Sequence, residues 1–211
     1  MRGARRTLRA AVQAYLYAHR SWYILYRPLP EQAPPPSSDF ELRLATAADL
    51  ESLAVFEPNR HRREFRDWLE SGAFLFVAFA DGRPVAFQCF ALSLPVGPPL
   101  SSLRLEPGQL WAVDVQTLPA YRRHHAAQSL RAFRDHTLRA QGVREYVSSV
   151  QSDNLPTLSY AYGGRRRLVS RVERLSYLCL LGLRRIRIER DARPRLERLL
   201  REAGLLGCER A

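Results

Sequence analysis

The alternation of apolar and polar residues predicts one α/β domain with extensions at both ends of the chain. Apolar residues at every second position predict strands, and apolar residues three or four apart predict helices. From residue 40 to residue 150 these patterns follow the order β-α-α-β-β-β-α-β. The strands fall at 40–44, twice within 73–92, at 109–117 and at 145–150, and the helices at 46–53, 60–70 and 121–142.

Short polar motifs mark where several of these elements begin and turn. Thr46 followed by Asp49 is a variant of the capping box that starts a helix. The pair Asp81-Gly82 between two apolar runs predicts a β-hairpin. The elements predicted after residue 150 are a short helix at 154–162, one or two strands within 168–183, and a terminal helix with Pro194 in its first turn and Gly204 near its end.

The first 39 residues are predicted to precede the central domain. Apolar residues at helical spacing predict a basic amphipathic helix over 5–23, and the Pro-rich segment 27–39 predicts a stiff linker. We expect the helix to pack on the domain or on a second subunit, as in a homodimer; contact with a membrane surface is the less favoured alternative. The predicted segments are 1–39, a central domain over 40–190, and a C-terminal helix and tail over 191–211.

The basic charge is carried by arginine alone. All 33 basic residues are Arg and none is Lys, which excludes enzymes that need a lysine for a phosphate loop, a Schiff base or a kinase site. Residues 1–30 hold six Arg and no acid, and residues 165–211 hold 14 Arg against 6 acids. The segment between them is near neutral and has no nucleic-acid motif. This disfavours direct nucleic-acid binding and leaves an acidic partner as an alternative.

Cysteine and histidine usage predicts a cytoplasmic protein without a metal site. Cys89, Cys179 and Cys208 are widely spaced and form no C-x-x-C pair. His124 and His125 are adjacent, so they would diverge on a helix instead of sharing an ion. No apolar run approaches the ~18 residues that a membrane span requires.

The stretch 117–130, TLPAYRRHHAAQSL, is similar to the cofactor motif of the GNAT superfamily of acyl-CoA-dependent N-acyltransferases. The superfamily pattern is a strand, a turn with proline, and R/Q-x-x-G-x-G/A at the start of a helix. The six matching positions are Arg122, Arg123, His124, His125, Ala126 and Ala127, and His125 stands where the pattern has its first glycine. The resemblance covers roughly residues 40–183. It implies a GNAT-like α/β fold with a mixed sheet, and acetyl-CoA or another acyl-CoA as co-substrate.

The physical chemistry of this motif favours a bound diphosphate. A helix N-terminus offers unpaired backbone N–H groups and a partial positive charge, and Arg122, Arg123 and His124 would add cationic side chains. The resemblance also implies that free backbone amides of the preceding strand, at Val115, Gln116 and Thr117, pair with the pantetheine arm like an added strand.

The segment SDNLPTLSYAYGG, residues 152–164, resembles a second superfamily motif. Asn154 matches its asparagine and is implied to contact the cofactor. Counting back from Gly164 places Tyr160 as the tyrosine that protonates the departing thiolate, whereas counting from Asn154 leaves Tyr162 as a rival. A phenol suits this role because its pKa of ~10 is close to that of a thiol. Arg165 replaces the usual phenylalanine.

Asp114 is the only acid on the strand before the cofactor motif. It is a candidate base for the attacking amine, and a helix-facing ion-pair partner is the alternative. Simple alternation places it on the same face as Ala112 and Gln116, and a β-bulge would reverse this.

Together these features predict transfer of an acyl group, most simply acetyl, to a primary amine by direct attack. The acceptor would be a small molecule or a protein. The chain has no G-x-S-x-G motif and no Cys-His pair that would support a covalent intermediate. One alternative is a non-catalytic GNAT-fold binding module with a degenerate CoA site that acts through its arginine-rich ends. Another is an adaptor for a membrane surface or a nucleic acid.

Overall fold

The computed structural model describes residues 17–31, 39–56, 61–93, 100, 103–162, 168–180 and 183–206. Within these residues the chain forms eight strands, five helices, and 3₁₀ turns at Ala47–Asp49 and Pro119–Tyr121. The strands are β1 (Tyr17–Pro28), β2 (Glu41–Leu44), β3 (Phe74–Ala80), β4 (Arg83–Ala91), β5 (Gln109–Thr117), β6 (Glu145–Gln151), β7 (Arg171–Leu180) and β8 (Leu183–Glu189). The helices are α1 (Leu50–Leu53), α2 (His61–Glu70), α3 (Ala126–Ala140), α4 (Leu155–Tyr162) and α5 (Arg193–Glu202). None of these described helices combines the length and the apolar character that crossing a membrane requires.

The mixed α/β class predicted from the sequence is confirmed. The chain divides into two compact units, which we call the central unit (Pro28–Val147) and the terminal unit (Met1–Arg27 with Ser148–Ala211). The predicted order β-α-α-β-β-β-α-β is confirmed by β2, α1, α2, β3, β4, β5, α3 and β6.

The central unit contains a mixed sheet between two helical layers. Its strand order is β2-β3-β4-β5-β6, with antiparallel pairing except between β5 and β6. On one face Phe87 packs against Phe65 of α2, with ring centroids 5.0 Å apart. On the other face Phe90 lies in a buried cluster with Leu130 and Leu138 of α3. Each face of the sheet is therefore buried under a helix.

The predicted turn and cap chemistry of the central unit is also confirmed. Asp81 and Gly82 have φ values of 49° and 73°, as a two-residue hairpin turn with two left-handed positions requires. The Thr46 backbone N–H donates to Asp49 Oδ2 at 2.8 Å. Arg43 donates to both carboxylate oxygens of Asp49 at 2.7 Å. These hydrogen bonds lower the pKa of Asp49 to about 2, and the Arg43 bonds contribute most.

In the terminal unit, the segment predicted as an N-terminal helix is a strand where the structure describes it. Tyr17–Pro28 is a strand that pairs antiparallel with β7, so the helix predicted over 5–23 is wrong from Tyr17 onward. The run 22–26, WYILY, is rich in aromatic and β-branched residues and buried along its length, which favours a strand. Residues 1–16 of that prediction and 32–38 of the predicted linker lie outside the described residues.

The C-terminal predictions are confirmed with one change of boundary. Two strands, β7 and β8, follow α4, and the second runs past the predicted limit to Glu189. Helix α5 has Pro194 in its first turn, and Gly204 has a φ of 68° just after its end. Helices α4 and α5 pack on Tyr23 and Leu25 of β1 in one buried cluster.

Candidate functional site

An irregular turn joins β5 to α3. After the 3₁₀ turn at Pro119–Tyr121, Arg123 and His125 have φ values of 72° and 61°. Left-handed residues cannot continue a right-handed helix. For this reason α3 begins at Ala126, five residues later than predicted, and the residues matching the cofactor motif form the turn and the first helical positions.

His125 occupies a conformation for which glycine is the ordinary choice. Its φ of 61° and ψ of 0° are left-handed, and a side chain there usually carries a steric cost. Histidine is among the residues enriched several-fold in this region relative to other side chains. Its Nδ1 also lies 3.1 Å from Gln128 Oε1. The residue that replaces the first glycine of the motif therefore has the left-handed backbone conformation that glycine usually adopts.

Four backbone N–H groups around this turn have no hydrogen-bond acceptor among the described residues. They are those of Arg123, His125, Ala126 and Ala127. By contrast, the N–H groups of Gln128 and Ser129 both donate to the His125 carbonyl at 2.9 Å. The unpaired donors lie at the N-terminus of a 15-residue helix with no acid in its first turn. A helix start of this kind attracts anions.

The side chains at the turn form a cationic rim. Arg122, Arg123, His124 and His125 are all exposed. The Arg122 Nε donates to the Thr117 carbonyl at 3.4 Å, so that guanidinium lies back toward the end of β5. Of the residues that carry the unpaired amides, Arg123 and His125 are exposed, Ala127 is half-buried and Ala126 is buried.

A buried polar network that sequence reasoning missed ties the start of α3 to β4. Arg134 donates to Asp135 Oδ1 at 2.8 Å and to Gln88 Oε1 at 2.9 Å. The Gln88 side chain in turn donates to the Ala127 carbonyl at 3.3 Å. The Arg134 guanidinium also lies 4.7 Å from the ring centroid of Tyr146. The sequence signal was a glutamine inside an otherwise apolar strand.

A β-bulge at Val113 changes the face on which Asp114 lies. Cys89 pairs with Asp114 and Phe90 pairs with Ala112, so Val113 is the extra residue. Residues paired across a ladder share a face. Cys89 and Val113 belong to the cluster under α1 and α2, whereas Phe90 and Ala112 belong to the cluster under α3. The expectation that Asp114 shares a face with Ala112 is therefore wrong.

The second half of β5 offers a strand edge. Its parallel pairing with β6 runs only from Gln109 to Trp111, whereas its pairing with β4 continues to Thr117. Within the central unit, the described part of β5 after Trp111 is thus paired on one side only. Asp114 Oδ1 accepts a hydrogen bond from the Val115 backbone N–H at 2.8 Å, and Val115 is 49% exposed.

Cys89 and Gln116 lie on the same face of the sheet as Asp114. The Cys89 thiol is fully buried, and burial, with a smaller contribution from the Asp114 charge, raises its pKa well above the usual range. A thiol in this state is a poor nucleophile. The Gln116 Oε1 is buried and has no hydrogen-bond partner among the described residues.

The remaining predicted residues lie on α4 in the terminal unit. Asn154 Oδ1 accepts a hydrogen bond from the Thr157 N–H at 3.3 Å, so it caps the helix. Tyr160 is 61% exposed, whereas Tyr162 is fully buried. The Tyr162 hydroxyl donates to Glu197 Oε1 at 2.6 Å, and burial together with this bond raises its pKa to about 12. Of the two candidate tyrosines, Tyr160 is therefore the one whose side chain is exposed. Gly164 and Arg165, at positions 163–167, lie outside the described residues.

Comparison with known proteins places GNAT acetyltransferases among the structural neighbours. No protein-family model and no curated protein matches the sequence. A GNAT family acetyltransferase from Brucella melitensis, solved with acetyl-CoA, is 20% identical over 53% of this chain and 76% of its own, with a TM-score of 0.41. An aminoglycoside antibiotic 6′-N-acetyltransferase from Acinetobacter haemolyticus is 18% identical over 61% and 88%, with a TM-score of 0.46. A conserved protein of unknown function from Staphylococcus epidermidis is 10% identical over 82% and 67%, with a TM-score of 0.48. The function of this chain has to be inferred from its own residues.

Proposed function

We propose that the chain is an acyl-CoA-dependent N-acyltransferase, most simply an N-acetyltransferase, and that the start of α3 binds the diphosphate of acetyl-CoA. The observation that carries this proposal is the set of four unpaired N–H groups at Arg123, His125, Ala126 and Ala127. Successive amides in a turn with left-handed residues form a concave anion site. A diphosphate supplies the several charged oxygens that such donors need.

The cationic rim would strengthen this binding. Arg122, Arg123 and His124 are exposed beside the unpaired amides. A hydrogen bond to a charged group contributes about 1.5–3 kcal/mol, so removing one donor would weaken binding about tenfold or more. The buried Gln88–Arg134 bond would keep the helix start fixed against β4.

The open edge of β5 would take the pantetheine arm by backbone pairing along Val115, Gln116 and Thr117. The Val115 N–H is already bonded to Asp114 at 2.8 Å. For the pantetheine arm to pair with the Val115 N–H, the hydrogen bond between this N–H and the Asp114 carboxylate would therefore have to break. Without that hydrogen bond, the Asp114 carboxylate would accept a proton from the acceptor amine.

The proposed reaction is direct aminolysis of the thioester. The neutral amine nitrogen forms a bond to the acyl carbon, the carbon–sulfur bond breaks, and the amine proton passes to Asp114 directly or through water. The departing thiolate takes a proton, and the tyrosine that the resemblance to the superfamily motif assigns to this step is the exposed Tyr160. The acceptor would be a primary amine, on a small molecule or on a protein.

Calorimetric titration of acetyl-CoA at ~0.3 M salt, with ATP as a control for general attraction of polyanions, tests the proposal. We expect a saturable 1:1 isotherm that ATP does not reproduce and that Arg122→Gln/Arg123→Gln weakens at least tenfold. The matched control, Arg66→Gln/Arg83→Gln, removes the same charge from two exposed positions on α2 and at the β3–β4 turn.

Absence of specific binding, or equal binding of ATP, would contradict the proposal. It would support instead a non-catalytic module that acts through its arginine-rich ends. Where acetyl-CoA does bind, thiol release in the presence of a panel of primary amines then measures transfer.

A further inference from the structure

A second group of arginine side chains lies in the terminal unit, on one face of the β1–β7–β8 ladder. Arg185 pairs with Leu178, which pairs in turn with His19. Arg187 pairs with Ser176, one position along the same face. This face borders a cavity of about 530 Å³, whose lining includes Arg174, Ser176, Arg185, Arg187, Glu189 and Arg195.

The charges around this cavity are not balanced. Four guanidinium groups line it against one carboxylate, Glu189, which lies 3.4 Å from Arg195. Arg185 and Arg187 have no hydrogen bond or ion pair among the described residues. Like charges held in a concavity repel one another and attract a counter-ion. The arrangement therefore favours an anionic ligand.

Hydroxyl groups hold the side chain of Arg174, one of the four arginines that line the cavity. Arg174 donates to Ser176 Oγ at 3.0 Å and to Ser21 Oγ at 3.1 Å. Ser21 Oγ lies 2.6 Å from Ser152 Oγ. These bonds hold the Arg174 guanidinium against the sheet, so that side chain loses little further conformational freedom when a ligand binds.

An adjoining cavity of different character extends the space. It has a volume of about 720 Å³ and shares Arg174, Glu189 and Arg195 with the first. Its lining adds Tyr23 and Asp191, so it combines polar groups with both signs of charge. Both volumes fall in the range of small-molecule sites, about 300–1,000 Å³. A ligand with an anionic end for the first cavity and a polar body for the second fits these two adjoining cavities.

We infer that this face of the terminal unit binds a small phosphate ester with a polar, hydroxyl-bearing body. A phosphate monoester carries up to two negative charges and three acceptor oxygens. The planar fork of a guanidinium matches phosphate oxygens in a bidentate geometry. Several arginines around one cavity suit a ligand with two negative charges better than a ligand with a single carboxylate group. The site lies wholly within the terminal unit and does not depend on the function proposed above.

Ribose 5-phosphate is the probe for the test, with the full-length chain. Titration at ~0.15 M salt should be saturable. Hydrogen–deuterium exchange should slow in Leu183–Glu189 and Arg193–Glu202 when the probe is added. Arg185→Gln/Arg187→Gln should weaken binding at least tenfold without lowering the unfolding temperature, because both side chains are exposed. The control pair Arg66→Gln/Arg83→Gln should bind as the unsubstituted chain does.

Absence of saturable ribose 5-phosphate binding would overturn the inference, and so would three further results. Equal weakening by the control pair would mean that binding reports only the overall charge. Equal affinity for tricarballylate, a tricarboxylate without phosphate, would show a carboxylate site. Protection of the same segments by a single-stranded RNA of about 15 nucleotides, without protection by ribose 5-phosphate, would show a nucleic-acid surface.

Discussion

Substituting His125 tests the left-handed turn on which the proposed diphosphate site depends. At φ 61° and ψ 0° a side chain costs about 1–2 kcal/mol in general, and somewhat less for histidine. Glycine avoids that cost. The exposed contact with Gln128 contributes about 0.5–1 kcal/mol at most. We therefore expect the free energy of unfolding of His125→Gly to lie within about 1 kcal/mol of the unsubstituted chain, and that of His125→Ala about 1 kcal/mol below the glycine variant.

His124 supplies the matched control in the same turn. It is exposed like His125 but is not among the described residues with positive φ. Glycine there should be less stable than alanine by about 0.5–1 kcal/mol, because glycine loses more conformational freedom on folding. The order of the alanine and glycine variants is thus predicted to reverse between two adjacent positions.

Urea unfolding followed by circular dichroism would measure all four variants. If His125→Ala equals or exceeds His125→Gly in stability, the residue is not left-handed in solution. The turn that carries the four unpaired N–H groups would then have another conformation, and the case for a diphosphate site would fail.

Four other substitutions give three separate tests. The pKa of Asp49 is lowered to about 2 from 3.8, so its pairing with Arg43 stabilises the fold above about pH 4, and this stabilisation is lost as the pH falls toward 2. Asp49→Asn should therefore lower the free energy of unfolding by about 1–3 kcal/mol at pH 7 and flatten its pH dependence below pH 4. Urea titration at several pH values measures both effects, and an unchanged pH profile would refute the prediction. Arg134→Gln should cost about 3 kcal/mol or more in thermal unfolding, because it leaves a buried carboxylate without its partner; a cost under 1 kcal/mol would contradict the buried pair. Tyr162→Phe should lower the free energy of unfolding by about 1–2 kcal/mol, because it removes the buried hydrogen bond to Glu197. Tyr160→Phe should cost less stability, because Tyr160 is exposed, and should slow amine-dependent thiol release at least ~10-fold; the opposite pattern would exchange their roles.

Local sequence signals were sufficient for most of the central unit. The Asp81-Gly82 turn, the Thr46 cap and the apolar periodicity each depend on residues close together in the chain, and each prediction is confirmed. The same reasoning failed in the predicted helix over 5–23. Its apolar residues have helical spacing, but from Tyr17 onward the chain is an aromatic-rich strand. Aromatic and β-branched content in that run was the better signal.

Features set by tertiary pairing could not be predicted. The bulge at Val113 decides the face of Asp114, yet a register shift depends on how β4 and β5 meet. The left-handed φ values of Arg123 and His125 moved the start of α3, although no glycine marks the turn. The arginine-lined cavity requires the pairing of β1, β7 and β8, which brings together residues more than 150 positions apart.

The central claim is that acetyl-CoA binds to the unpaired amides at the start of α3. Amide-resolved ¹⁵N–¹H NMR during titration with acetyl-CoA tests it most directly. The account predicts that the N–H resonances of Arg123, His125, Ala126 and Ala127 shift together, saturate at one equivalent and exchange more slowly with solvent. Saturable binding that leaves these four resonances unmoved would place the cofactor elsewhere and contradict the account.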